Sequence, residues 1–237
     1  MMYIGRFAPS PTGRMHLGNI YTAYASYLRA RERGGKWIVR MEDIDPQRSK
    51  QVYADQILDD LAWLGLEWDE LYYQSQRFEH YEEALERLQP YLFPLFRSRR
   101  ERLATGAPQA NDTLAPMPTQ KPATAIRVGE EDVILRRSDG AWAYHLAVVV
   151  DDAEMGITEV VRGDDLADCV PIHHALQDLL GYPHPEYVHI PLLYNAAGQR
   201  LSKRDRAQDM SVLRQQYSPT ELRELLRAKL NENAVSI

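Results

Sequence analysis

The chain opens on a short apolar run, "YIGRFA", breaks into the proline- and glycine-rich stretch "PSPTGRMHLGN" over residues 9–19, and then becomes periodic. In "GNIYTAYASYLRARERGG", Ile20, Ala23, Tyr24, Tyr27 and Leu28 recur at helical spacing, and the pattern stops at Gly34-Gly35. "KWIVRME" follows as an apolar run of strand length. A strand, a helix and a strand in such close succession form a βαβ unit, with parallel strands and a right-handed crossover. Helical spacing returns in "KQVYADQILDDLAWLG" and "RFEHYEEALERLQPYL". Residues 104–122 carry Pro108, Pro116, Pro118 and Pro122 with little apolar periodicity and read as a loop. Four runs then predict strands: "AIRV", "DVILRR", "AYHLAVVVDD" and "ITEVVRG", with turns at Ser138-Asp139-Gly140 and Glu154-Met155-Gly156. A helix at "VPIHHALQDLLG", a strand at "YVHIPLLYN", a polar loop at "AAGQRLSKRD" and a helix at "SPTELRELLRAKLNE" complete the pattern, without an internal repeat.

This order predicts an α/β fold: a Rossmann-like, doubly wound parallel sheet with a small inserted α+β subdomain. The first half of the core falls in residues 1–90, the insertion and its return in 91–165, and the second half in 166–237. At 237 residues and 44% hydrophobic, the chain can bury a sizeable core. Its formal charge of −6 argues against indiscriminate binding to nucleic acid or membrane, so any nucleic-acid contact is local. Two arginine-rich clusters allow one: Arg97, Arg99, Arg100 and Arg102, then Lys203, Arg204 and Arg206, although a solvated face is the favoured reading of each run taken alone. The single cysteine, Cys169, excludes an internal disulfide, and the longest apolar stretch, "LAVVV", is too short for a bilayer. With no basic-then-apolar leader at the start, a cytoplasmic, monomeric enzyme or binding protein is expected, with no membrane partner.

The stretch over residues 9–19 sits where a parallel strand hands over to a helix, the place where free backbone N–H groups attract phosphate. There Gly18 permits close approach of a nucleotide, and His16 offers an imidazole donor without a permanent charge. A proline-rich turn with a structurally satisfied histidine reads the same residues as well. Neither a G-x-G-x-x-G nor a Walker-type motif is present. Late in the chain, "QRLSKRD" places Lys203 on a polar loop, where an ammonium can offset charge building on a leaving pyrophosphate.

Together these motifs resemble a known family. "HLGN" after "RFAPSPTG", and the late "RLSKR", are similar to the HIGH and KMSKS signatures of class I aminoacyl-tRNA synthetases. "GRFAPSPTG", "GGKWIVRMEDIDPQR", "YHLAVVVDDAEMGITEVVRGDDL" and "YVHIPLLYNAAGQRLSKR" resemble the glutamyl branch, and within it the short glutamyl-queuosine tRNA(Asp) synthetases. Only 237 − 203 = 34 residues follow Lys203, too few for the helical anticodon-reading domain of a full-length glutamyl-tRNA synthetase. The resemblance implies L-glutamate, ATP with Mg²⁺, and queuosine-bearing tRNA(Asp) as partners. It also leaves two alternatives: a truncated glutamyl-tRNA synthetase charging a tRNA 3′ end, and a catalytically idle paralogue.

Carried onto this sequence, the resemblance assigns Arg6 to a glutamate carboxylate, Ser10 and Glu42 to the α-amino group, and Arg162 and Tyr144 to the amino-acid pocket. Phe7, Ala8 and Pro9 complete the glutamate-binding set. Thr12, His16, Gly18 and Asn19 with Ser202, Lys203 and Arg204 form the ATP-binding set, in which His16 and Lys203 are the catalytic pair. Without the resemblance, a structural ion pair for Arg6 and Arg162 and core packing for Tyr144 are the favoured readings of these residues. Many relatives hold zinc through a Cys-x-Cys, but here Leu95 and Arg97 stand in "FPLFRSRRE", and no histidine or cysteine occurs between His80 and His145. No bound zinc is expected. His173-His174 read as a helix surface, and His184 and His189 as strand flanks.

Overall fold

The computed structural model describes residues 2–96, 121–194, 209–233 and 235. Its elements in chain order are β1 (Ile4–Phe7), α1 (Leu17–Glu32), β2 (Lys36–Met41), α2 (Gln51–Trp63), β3 (Glu70–Tyr73), α3 (Phe78–Arg87) and β4 (Leu92–Leu95). There follow β5 (Ala123–Val128), β6 (Glu131–Arg136), α4 (Tyr144–Glu154), β7 (Glu159–Gly163), α5 (Val170–Leu180), β8 (Glu186–Ile190), α6 (Met210–Gln216) and α7 (Pro219–Glu232). Five strands make one parallel sheet in the order β3-β2-β1-β7-β8, and β4-β5-β6 make a separate antiparallel sheet. The chain divides into two compact units: Met1–Gln76 with Glu154–Val170 and His184–Ile237, and Arg77–Ala153 with Pro171–Pro183. Among the described residues no helix is long and apolar enough to cross a membrane.

In the first unit the inner strands β1, β2 and β7 of the parallel sheet are buried on both faces, as crossover helices require, while the edge strands β3 and β8 are half-buried. Strand alternation separates the faces. Trp37, Val39 and Met41 of β2 join Phe7, Val161 and Ile190 in the core beneath α1 and α7, whereas Ile38 and Val160 pack with Met155 and Ile157 on the other side. Trp37 stacks on Phe7 at 6.3 Å, meets Tyr27 edge-on at 5.2 Å, and donates its indole N–H to Ser26 at 2.9 Å. Gly35 is required by close approach: a Cβ there would lie 2.3 Å from the Tyr3 carbonyl oxygen. At the amino end of the sheet, the buried Glu159 carboxylate accepts from Arg29 Nε and Nη2 at 2.6 and 2.7 Å, from Arg33 at 2.9 Å and from the Tyr3 hydroxyl at 2.6 Å.

Helices α2 and α6 are joined by Arg214, which donates to Asp59 and, at 2.9 Å, to Asp60 Oδ1. Burial pushes the Asp60 carboxyl up to about 6 against the opposing pull of Arg214, and its Oδ2 is buried with no hydrogen-bond partner. A native value above the unfolded one means that folding takes up a proton, so this residue's contribution improves as pH falls from neutrality through that value. The Asp60→Asn variant is expected to lack this gain, at most about 3 kcal/mol. Urea unfolding of both proteins near neutral and mildly acidic pH measures it; an identical pH dependence in the two would refute the assignment.

The structure corrects several expectations. "AYHLAVVVDD" is not a strand but the body of α4, with residues from Leu146 to Asp152 all buried. A five-residue apolar run suits a buried helix as well as a buried strand, and the three valines tipped the pattern towards the latter. The helix is stabilised at its polar end: Asp151 accepts from Arg77 at 2.6 Å and from the Tyr81 hydroxyl at 2.9 Å. The strand read in "YVHIPLLYN" stops at Ile190, where Pro191 removes a ladder donor. His173 is 1% exposed and belongs to the interior, not to a helix surface. Strands β3 and β4 and helix α6 had no counterpart in the sequence reading. The loops expected at 104–122 and in "AAGQRLSKRD" fall almost wholly outside the described residues.

Candidate functional site

The order of strands reverses between β1 and β7, and ligands of open α/β sheets bind at such a switch point, beyond the carboxyl ends of the strands. Four basic side chains occupy that rim. Arg6, Arg40, Arg162 and His189 are each the penultimate residue of their strand, and alternation puts all four on the face opposite α1. Arg6 and Arg162 retain 4% exposure each, while Arg40 has none. Arg40 lies 3.6 Å from Glu42 Oε1 and reaches the Met155 sulfur at 3.7 Å, so it serves as counter-charge to Glu42. Arg6 leans towards the Val161 carbonyl at 3.4 Å. Arg162 Nε donates to His189 Nε2 at 3.2 Å, and its guanidinium lies 4.8 Å from the centre of the Tyr187 ring.

The loop after β1 is tied to this rim by its backbone. Thr12 N–H closes a turn on the Ser10 carbonyl, Glu42 N–H donates to the Pro9 carbonyl at 2.9 Å, and Lys50 N–H donates to the Pro11 carbonyl at 3.0 Å. The same bonds bring Glu42 beside Pro9. Ser10 is exposed, Phe7 and Pro9 are buried, and Ala8 is half-buried.

His16 is the N-cap of α1. Its Nδ1 accepts from Gly18 N–H, and Asn19 Oδ1 accepts from His16 N–H, each at 3.1 Å, forming a reciprocal capping box. An Nδ1 that accepts carries no proton, which assigns the proton of the neutral ring to Nε2. The first turn of α1 has no acidic residue to offset its partial positive charge. A Cβ at position 18 would come within 3.0 Å of His16 Cε1, so Gly18 leaves room for the imidazole itself. The described chain resumes at residue 209 next to this point. Met210 N–H donates to the Met15 carbonyl at 3.0 Å, and residues 16 and 209 form an antiparallel bridge. Ser202, Lys203 and Arg204 lie outside the described residues.

Tyr144 belongs to the second unit, where it starts α4. It forms a three-ring cluster with His145 and His173, whose Nδ1 and Nε2 are 3.2 Å apart. Among the described residues no group of three or more histidine, cysteine or acidic side chains could hold a metal ion.

A helix start without acidic residues, and buried guanidiniums on one sheet face with Glu42 3.6 Å from Arg40, suit anionic groups. Comparison with known proteins agrees. The family described as "tRNA synthetases class I (E and Q), catalytic domain" matches residues 4–89 and 120–231. The chain belongs to this family. Among its curated relatives are proteins named glutamyl-Q tRNA(Asp) synthetase. That of Neisseria meningitidis serogroup C strain FAM18 is 43% identical over 91% of this chain and 85% of its own length. That of Nitratidesulfovibrio vulgaris is 41% identical over 90% and 81%. Among solved class I synthetases, the glutamate tRNA ligase of Elizabethkingia meningosepticum, in complex with its amino acid, is 28% identical with a TM-score of 0.75. The match covers 86% of this chain but 52% of that one, so the chain spans about half the length of that synthetase. Methionyl-tRNA synthetase of Mycobacterium tuberculosis shares the fold with a TM-score of 0.71 at 13% identity.

Sequence reasoning singled out the HIGH-like segment and the arginines at positions 6 and 162, which the structure places at the carboxyl rim of the sheet. It missed Arg40 and the contact of His189 with Arg162. An arginine inside the otherwise apolar "WIVRM" was the available signal, since a charge in a doubly buried strand needs a partner.

Proposed function

We propose that this chain activates L-glutamate with ATP and transfers the glutamyl group to the queuosine base at the wobble position of tRNA(Asp). The observation that carries the reading is the rim itself: the guanidiniums of Arg6 and Arg162 near the carboxyl ends of β1 and β7, with Glu42 just beyond β2 and 3.6 Å from Arg40. Curated relatives named glutamyl-Q tRNA(Asp) synthetase, matched over more than four-fifths of their length, support it.

In the proposed reaction the α-carboxylate of glutamate attacks the α-phosphorus of ATP, forming glutamyl-adenylate and releasing pyrophosphate. A hydroxyl of the queuosine cyclopentenediol then attacks the acyl carbon, and AMP leaves. Arg6 and Arg162 meet carboxylate oxygens, Glu42 and Ser10 receive the ammonium, and Ala8 and Pro9 border the pocket. Phe7, whose ring is packed on Trp37 in the core on the other face of the sheet, can border it only through its backbone. Tyr144 enters this set by resemblance. Thr12, Gly18 and Asn19 border the nucleotide, while His16 Nε2–H, Ser202, Lys203 and Arg204 offset charge on the phosphates. Mg²⁺ arrives with ATP and shares that role. No protein nucleophile is needed, so rate comes from positioning and charge stabilisation. The reaction is proposed to run in the cytoplasm, where ATP and tRNA meet.

Glutamate-dependent exchange of labelled pyrophosphate into ATP, without tRNA, is the expected sign of adenylation. Transfer is then measured to tRNA(Asp) stripped of its 3′ terminal adenosine. Acceptance that depends on queuosine is expected. Acceptance that requires the 3′ adenosine would make the protein a short glutamyl-tRNA synthetase, and absence of any exchange with or without tRNA would leave an idle paralogue.

A further inference from the structure

We propose that His189 is a positioning residue for Arg162, holding the guanidinium at its Nε so that the opposite edge of the fork faces the substrate carboxylate. The proposal rests on the reading of Arg162 as a glutamate ligand and adds a specific device to it.

Arg162 and His189 are register partners on the adjacent parallel strands β7 and β8, so their side chains leave the sheet side by side. The bond from Arg162 Nε to His189 Nε2 is 3.2 Å. Two residues earlier on the same face of β8, Tyr187 stacks parallel to the imidazole, with centroids 6.3 Å apart and planes 8° apart, and its ring also lies under the guanidinium. The guanidinium is thus held at one edge by an acceptor and across its plane by an aromatic face. A guanidinium offers a carboxylate either its Nε side or its two terminal nitrogens. With Nε engaged by His189, a bidentate contact to a carboxylate falls to the two terminal nitrogens.

This contact requires a neutral imidazole with its proton on Nδ1. Burial, and then the charge of Arg162, hold His189 below the ordinary imidazole value, with Asp164 pulling the other way. At neutral pH the acceptor is therefore present. As pH falls, protonation abolishes it and places a second cation against Arg162.

The test is the glutamate KM in pyrophosphate exchange, with ATP saturating, for wild type, His189→Leu, His189→Gln and Arg162→Ala. His189→Leu is expected to raise the KM about tenfold with kcat changed less than about twofold, the size of one hydrogen bond to a charged group. His189→Gln, whose Oε1 accepts at a similar reach without titrating, should restore most of the affinity. Between neutral pH and about pH 5.5, the wild-type KM should climb more steeply than that of His189→Gln. Titration of ATP and of glutamate is common to both, so their difference isolates the imidazole. An unchanged KM in His189→Leu, or the same acid-side climb in His189→Gln, overturns the proposal; should His189→Leu not fold, the Gln comparison decides alone. Arg162→Ala separates the two levels. If it leaves the KM unchanged, the assignment of Arg162 falls. If it raises the KM while the His189 variants behave as wild type, only the positioning role falls.

Discussion

Replacing His16 with asparagine is expected to lower adenylate formation by about 100- to 1,000-fold while leaving thermal stability close to that of the wild type. The two roles of this residue use different atoms. Its Nδ1 caps α1 through Gly18 N–H, and asparagine, among the best N-cap residues, can take over that bond. The Nε2–H on the far side of the ring has no equivalent in asparagine, and the loss of one preorganised donor to a charged transition state has the magnitude given. His16→Ala should show both defects, with an added loss of about 1 kcal/mol from the vacated cap. Pyrophosphate exchange and thermal unfolding on the three proteins separate the effects. Near-normal exchange in His16→Asn would remove the imidazole from the chemistry and leave it a cap.

The second large effect is expected at the opposite end of the sheet. Glu159→Gln should destabilise the protein by about 3 kcal/mol or more, because the buried Arg29 loses the carboxylate that accepts from its Nε and Nη2. Arg33 is too exposed to contribute much of this. Burial works against the charge on Glu159, yet hydrogen bonds from Arg29 and Tyr3 and the charges of Arg29 and Arg33 outweigh it and hold the carboxyl below its usual range. A depressed native value gives stability that is present above the unfolded carboxylate value, about 4.3, and is lost as pH falls through the native one. The wild type should therefore lose stability on strong acidification more steeply than Glu159→Gln. Denaturant unfolding across that range is the measurement, and equal stability of the two proteins near neutrality would show that the cluster is replaceable by neutral packing.

The parts of this fold legible from sequence were those where one local rule sufficed. The spacing of Ile20, Ala23, Tyr24, Tyr27 and Leu28 marked α1, and the strand–helix–strand order marked the parallel sheet. In α4 two rules met: Val148, Val149 and Val150 favour strands, but they lie in a helix buried all round, where periodicity vanishes. Asp151 and Asp152 after them were the missed clue, since buried carboxylates need partners that only tertiary structure supplies. The site shows the same division. The segment around His16 is local and was readable, whereas the pairing of His189 with Arg162 depends on register between strands. Tyr187, which stacks beside both His189 and Arg162, has no motif of its own to announce it.

The penultimate placement of Arg6, Arg40, Arg162 and His189 also limits how the gene can change length. A single codon inserted ahead of Arg6 within β1 would swing the guanidinium to the opposite side of the sheet, into the apolar layer that holds Phe7 and Trp37. Two codons would return it to the correct side but carry it roughly 6.6 Å further along the strand. Substitutions in these strands can be judged one residue at a time. Insertions and deletions cannot, because each strand counts its residues from the ladder that pairs it with its neighbour.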